Sequence, residues 1–207
     1  MAPAKTIFTV GHSNLEAGDF LSLLARAGIE IVADVRSLPQ SSRFPQFSQA
    51  ALENSLRGEN IAYKFFGEEL GGRPDDPTAY FDDGRVNYTA RRRSFAFQSG
   101  LERLLKLAQD KTVALLCAEE DPLDCHRFLM ISPELVAAGA PPVHLRKDGR
   151  QESQEAAENR LLEAHGFAGV ATQTLFPDAR AEALEKAYEL QSARAAFRVD
   201  PAALGRW

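Results

Sequence analysis

The sequence predicts an α/β domain, a mostly parallel sheet with helices on both faces and a helical extension at the C-terminal end. Three observations lead there. Short β-branched and aromatic runs alternate with stretches of helical periodicity, three of those runs end in a polar or charged tripeptide, and no repeat or composition shift divides the chain. At 207 residues the chain is long enough for one well-buried core. A single domain over residues 1–207 is expected, with its core at about 5–165 and its extension at about 175–198.

The first predicted strand is Thr6–Val10, stopped by Gly11. Phe20, Leu23, Leu24 and Ala27 then follow the i, i+3, i+4, i+7 spacing of an amphipathic helix, with Gly28 as its stop. The apolar run Ile29–Val35 is a second strand and completes a βαβ unit, whose crossover is expected to be right-handed. Ser37–Gln46 carries two prolines and three serines and is a loop. Ser48 is placed to cap a helix to about Gly58, and Ile61–Phe66 reads as a third strand. From Gly67 to about Thr89 the chain is turn-rich and longer than ordinary connections, a length that usually signals function.

Phe97, Leu101, Leu104, Leu105 and Ala108 form the stripe of the next helix, and Thr112–Cys117 is a buried strand. Asp124 is placed to cap a helix with Cys125, His126 and Arg127 in its first turn, and Pro133 should kink or restart it. Pro142–Leu145 is expected to be the last strand. The remainder reads as helix apart from Gly166–Asp178, with Leu184, Ala187, Tyr188 and Gln191 on one face and fraying in the last ten residues.

Hydrophobic residues at 44% and charged residues at 26% exclude wholesale disorder. The net charge of -5 argues against non-specific wrapping of nucleic acid but leaves room for a local basic cleft. The apolar stretch near the N-terminus, about five residues, is too short for an export signal. No run of about 18 uncharged apolar residues offers a membrane span. With only two cysteines, a reducing, cytoplasmic setting is expected.

Ligands of open parallel sheets bind beyond the carboxyl ends of the strands. Gly11-His12-Ser13, Asp34-Val35-Arg36 and Cys117-Ala118-Glu119 all fall there, so they are expected to converge on one edge. Cys125, at a helix N-terminus beside His126 and Arg127, is favoured as a thiolate, while Glu119, Glu120, Asp121 and Asp124 oppose that charge. The plainer alternative is two buried cysteines acting as small hydrophobes. Cys117, Cys125, His126 and His12 are also zinc-type donors, but the seven-residue gap between the cysteines is not a zinc-knuckle spacing, and no metal or cofactor is expected. A phosphatase loop fails on the position of Arg127, and a rhodanese-type start at Asp34 lacks its glycine-rich cysteine loop.

His12 is a candidate general base, or an accident of a capping turn around Ser13 and Asn14. Arg36, Arg43 and Arg73 suit phosphate or carboxylate, and Gly71-Gly72 ahead of Arg73 permits close backbone approach to an anion. Arg91-Arg92-Arg93, near Tyr88, Phe95 and Phe97, reads as a solvated first turn rather than a nucleic-acid platform.

Taken in order, Thr9–Asn14, Val32–Ser37, Pro45-Gln46-Phe47, Glu69–Arg73 and Leu115–Glu119 followed by Cys125-His126-Arg127 resemble the domain-of-unknown-function 488 family over about residues 5–165. Pro133 departs from the unbroken helix expected after Cys-His-Arg. The resemblance implies this fold and this motif cluster, with no reaction attached.

The leading expectation is an enzyme acting on an anionic, nucleotide- or nucleic-acid-related substrate. Cys125, Cys117, His12 and His126 are its chemical groups, with Ser13, Asp34, Arg36, Arg43, Gly71, Gly72, Arg73, Glu119 and Arg127 around the substrate. A non-catalytic module gripping a nucleotide or nucleic acid, and a thiol redox switch, are the alternatives.

Overall fold

The computed structural model describes residues 5–171 and 177–204. Strand β1 (Ile7–Gly11) is followed by α1 (Ala17–Arg26), β2 (Ile31–Asp34), α2 (Gln49–Gly58) and β3 (Ala62–Phe65). After α3 (Gly67–Leu70) come α4 (Tyr88–Arg93), α5 (Phe95–Asp110) and β4 (Val113–Cys117). A π-helical turn, Arg127–Ile131, leads into α6 (Ser132–Ala137). Strands β5 (Val143–Leu145) and β6 (Gln151–Ser153) and helices α7 (Gln154–Ala164), α8 (Ala168–Ala171), α9 (Pro177–Ala195) and α10 (Pro201–Leu204) complete the order, so part of the tail expected to fray is helical. Of the predicted break at Gly166–Asp178, residues 172–176 lie outside the described residues, as do 205–207 of the tail.

The six strands form one sheet in the order β3-β2-β4-β1-β5-β6. All neighbours pair in parallel except β5 and β6. β4 therefore lies between the two strands of the predicted βαβ unit. Pro142–Leu145 is not the last strand, because Gln151–Ser153 folds back on it after a turn in which Gly149 adopts φ +88°. The helical expectation for that segment fails because three polar residues on an edge strand carry no apolar alternation.

Period-two alternation divides the core. Phe8, Val10, Val32, Ala114 and Leu116 face α1 and α2, packing on Phe20, Leu23, Leu24, Leu52 and Leu56. Ile7, Ala33, Leu115 and Cys117 face the other layer, with Leu101 and Leu104 of α5, Leu161 of α7 and Ala187 of α9. Burying each such aliphatic side chain contributes about 1.5–3 kcal/mol, so both faces of the sheet are held strongly. On α9, Ala187 and Gln191 are buried and Leu184 and Tyr188 half-buried, as their spacing predicts.

Local details correct several expectations. Gly28 ends α1 at φ +65°, as expected. Ser48 occupies the N-cap of α2 but its hydroxyl does not cap it; the Ser48 Oγ binds the backbone of Ser41 instead and closes the preceding loop. Asp124 caps nothing; Asp121 caps the short turn Pro122–Asp124, and Cys125, in extended conformation, offers the carbonyl that starts the next helix. Pro133 lacks an N–H for the Leu129 carbonyl, and the chain meets this with a π turn in which the Ser132 N–H reaches back to Arg127. Arg91 is not solvated: it is 4% exposed and its Nη2 donates to the carbonyls of Glu68 and Glu69 at 2.6 and 2.8 Å, pinning α3.

The register places the chemistry. Gly11 pairs with Cys117 and Asp34 with Leu116, so the three marked tripeptides leave the sheet side by side at its carboxyl edge. Beyond the strands, the His12 and Ser13 amides donate to the Cys117 and Ala118 carbonyls, with Ser13 held at φ +47°. Gly11 is obligatory here, because a Cβ would collide with the backbone of Glu119 and Glu120. Gly11→Ala is expected to destabilise the chain by about 3 kcal/mol or more, since backbone cannot yield as a side chain can. Urea unfolding of the variant checks this; a loss under about 1 kcal/mol would refute the packing account.

Candidate functional site

The carboxyl edge opens into a cavity of about 820 Å³, within the ordinary range for a ligand site. Cys117, Glu119 and His126 line it from the β4 side, His12, Ser13 and Arg36 from β1 and β2, and Arg43, Gly72 and Arg73 from the loops. Four residues in the predicted set stand behind this lining: Asp34, Gly71, Cys125 and Arg127.

His126 joins the two cysteines. Its Nε2 donates to the Val35 carbonyl at 3.0 Å, and because a carbonyl only accepts, that nitrogen is protonated in either charge state of the ring. The opposite nitrogen, Nδ1, then faces Cys117 Sγ at 3.7 Å and Cys125 Sγ at 3.8 Å. All three donor atoms lie within 4.8 Å of one another. Spacing along the chain concealed this cluster: the seven intervening residues loop out through the Asp121-capped turn and return. Both cysteines are free.

The opposed influences on the thiols are resolved by where the acids point. Glu120 pairs with Arg146 at 2.8 Å, and Asp121 with Arg160 at 2.8 Å. Asp124 receives Gln191 Nε2 at 3.2 Å. Glu119 takes the Cys117 S–H at 2.9 Å. Burial opposes charge on Cys125, but the neighbouring Cys117 thiol and the Arg127 and His126 charges outweigh it, so its thiol is held below the ordinary range. The Cys125 sulfur beside it and its own burial push Cys117 up. Loss of solvent, then the Cys125 charge, lift the Glu119 carboxyl.

Arg127 supports this arrangement from beneath. At 1% exposure it donates to the Glu119 and Glu120 carbonyls at 2.6 and 2.7 Å, and its Nε to Thr9 Oγ1 at 3.3 Å. These contacts hold the loop that sets Cys117 and Glu119. Asp34 likewise anchors Arg36, accepting from Nε at 2.9 Å and Nη2 at 2.6 Å and from the Tyr63 hydroxyl at 2.9 Å. Only the Arg36 Nη1 edge is left toward His12 Nε2, at 3.4 Å.

His12 donates Nδ1–H to the Ser13 carbonyl and stacks on Phe47 with ring centroids 4.3 Å apart. Burial and the Arg36 charge lower its pKa to about 4, so the ring is neutral at physiological pH and its Nε2 lone pair meets a guanidinium. The adjacent glycines serve the protein itself: a Cβ at Gly72 would strike the His126 ring, and one at Gly71 the Gly67 carbonyl and Ser37 Oγ. Arg73 lies over the Phe197 ring, 4.4 Å from its centroid, and Arg43 over Phe44 at 5.4 Å; both arginines are exposed.

Sequence reasoning missed Phe44, Tyr88, Asp124 and Phe197 as cavity residues. Phe44 adjoins the marked Arg43, which was a usable signal. Phe197 follows α9 and is brought in by tertiary packing alone.

With this geometry in hand, the family comparison is decisive. Residues 16–132, more than half of the chain, match the family described as domain of unknown function DUF488. The chain belongs to that family. The DUF488 match takes in Asp34, Arg36, Gly71–Arg73, Cys117 and Cys125–Arg127, while His12 and the helical extension fall outside it. No curated protein and no solved structure matches the chain. Among the described residues no helix is long and apolar enough to cross a membrane.

Proposed function

We propose that the cavity is the active site of an enzyme acting on an anionic, nucleotide-class substrate in the cytoplasm. Cys117 and His126 face the reacting group and Cys125 tunes them from behind. One observation carries the reading: two buried sulfurs and an imidazole lie beside a cavity that three arginines also line. Arg43 and Arg73 supply exposed charge for the anion, Arg36 a buried, anchored one, and the rings of Phe44 and Phe197 offer faces for a base. The functional unit is the whole chain as one domain, because Phe197 of the extension reaches the same cavity as the sheet-edge residues. Free cysteines fit a reducing compartment.

Calorimetric titration with nucleoside monophosphates and inorganic phosphate tests the binding half. Arg73→Ala and Arg43→Ala are each expected to weaken the best ligand about tenfold, the worth of one charge-assisted contact. Unchanged affinity in both would refute the anion assignment. Cys117→Ala should retain binding and lose turnover, followed by phosphorus NMR; turnover at the parent rate would leave a binding module instead.

A further inference from the structure

We infer that Cys117, Cys125 and His126 form a binding site for a zinc-class divalent cation, with its fourth coordination position facing the cavity. The inference deepens the enzymatic reading and rests on it only for what fills that fourth position.

The donor geometry is the first support. Bond lengths of about 2.3 Å to sulfur and about 2.0–2.1 Å to imidazole nitrogen, at tetrahedral angles, set such donors roughly 3.6–3.8 Å apart. The two sulfur–nitrogen distances here are 3.7 and 3.8 Å, and no pair of the three atoms exceeds 4.8 Å. Small rotations of the cysteine side chains bring all three onto one ion.

The surroundings are those of a ligand set. A metal-binding histidine ordinarily donates its second nitrogen to a carbonyl or carboxylate, which fixes the ring and leaves one lone pair for the metal. His126 does this through Val35, with its plane further confined by Gly72, where any side chain would meet the ring. Cys125 Sγ accepts the Arg127 N–H at 3.5 Å, a contact that stabilises a bound thiolate. Two thiolates and an imidazole are soft, nitrogen- and sulfur-rich donors that select zinc over magnesium or calcium. Two thiolate charges balance a divalent ion, so the buried complex is neutral.

Three protein donors with one side open to a cavity is the arrangement of catalytic rather than structural zinc. Cys117 and His126 line the cavity and Cys125 does not, so the open position lies on the cavity side. Glu119 is outside the donor set but touches it through Cys117 at 2.9 Å. When the ion enters, the protons still held by the donor atoms, that of Cys117 first among them, leave to solvent. Glu119, no longer accepting from sulfur, then faces the fourth position, where water or an oxygen of the bound anion completes the shell. His12 takes no part, since its free nitrogen is turned to Arg36.

Titration of the reduced, full-length chain with Co²⁺ alone tests this without any substitution. One cobalt per chain is expected, with the visible bands of a tetrahedral thiolate site and full displacement by Zn²⁺. Cys117→Ser, Cys125→Ser and His126→Gln should each weaken zinc by more than the roughly 10–100-fold cost of losing an outer-shell partner. Glu119→Gln should bind it within that range. Absence of a stoichiometric thiolate–cobalt spectrum in the parent chain overturns the site whatever the variants do. So does an unchanged zinc affinity in a folded Cys125→Ser chain. Repeating the nucleotide and phosphate titrations with and without Zn²⁺ separates the two readings. Arg73-dependent anion binding without a cobalt spectrum defeats the metal site alone, whereas stoichiometric cobalt without anion binding supports the metal site and defeats the anion reading.

Discussion

Replacing Arg127 with methionine is expected to cost about 3–5 kcal/mol of folding stability, the range for removing one partner from a buried charged contact. The side chain is 1% exposed, and its donors bind two backbone carbonyls and the Thr9 hydroxyl. Methionine fills similar volume but donates nothing, so those acceptors lose charged hydrogen bonds worth about 1.5–3 kcal/mol each before relaxation. The Glu119–Asp121 loop then loses its tie to the helix below. Arg127→Lys should recover part of the loss, since one ammonium cannot span both carbonyls in the guanidinium's fork geometry. Chemical denaturation of the parent and both variants measures this. A methionine variant within about 1 kcal/mol of the parent would show that water satisfies the carbonyls as well as Arg127 does.

That role for Arg127 marks the boundary of what the sequence made legible. Its type and position, two residues after Cys125 at a helix start, indicated an anion-binding arginine. Whether a guanidinium faces a cavity or a buried backbone loop depends on how the Pro122–Asp124 turn returns the chain, and no local periodicity encodes that. The same holds for Gly71 and Gly72, whose lack of side chains admits Ser37, the Gly67 carbonyl and the His126 ring. A glycine pair announces a close approach without naming what approaches.

The sheet was more accessible. β1, β2 and β4 are apolar on both faces, because helices cover both, and such runs stand out from polar loops. From strand ends alone, His12, Arg36, Cys117 and Glu119 could be assigned to one edge, and the parallel register places them there. β6 and α3 escaped because each is short and polar, stabilised by neighbours more than by its own pattern. The sign of the charge balance around the cysteines was beyond reach for a related reason. Four acids in six residues look alike in sequence, yet the partners that neutralise two of them, Arg146 and Arg160, come from far along the chain.

His144 should give the chain an acid sensitivity that begins well above the carboxylate range. It sits on β5 at 1% exposure. Its Nε2 donates to Gln154 Oε1 at 3.0 Å, and its Nδ1 accepts from the Thr9 hydroxyl at 2.8 Å. Both nitrogens are thus satisfied by a neutral ring. Burial first, then the Arg127 charge, lower its pKa from 6.5 to about 4. The unfolded chain therefore binds a proton at pH values where the folded chain does not. Stability is complete above about 6.5 and falls as the pH drops toward 4, because protons favour the unfolded state throughout that window. The shift corresponds to about 3 kcal/mol across the window. His12 adds a contribution of the same sign, its pKa also lowered to about 4. Comparing unfolding free energies of parent and His144→Asn at pH 7 and pH 4.5 isolates the buried ring from His12, which both chains retain. The variant is expected to be less stable at pH 7 and to lose distinctly less on acidification. Parallel pH profiles for the two chains would mean that His144 is protonated in the fold at little cost, and that Thr9 and Gln154 do not hold it neutral.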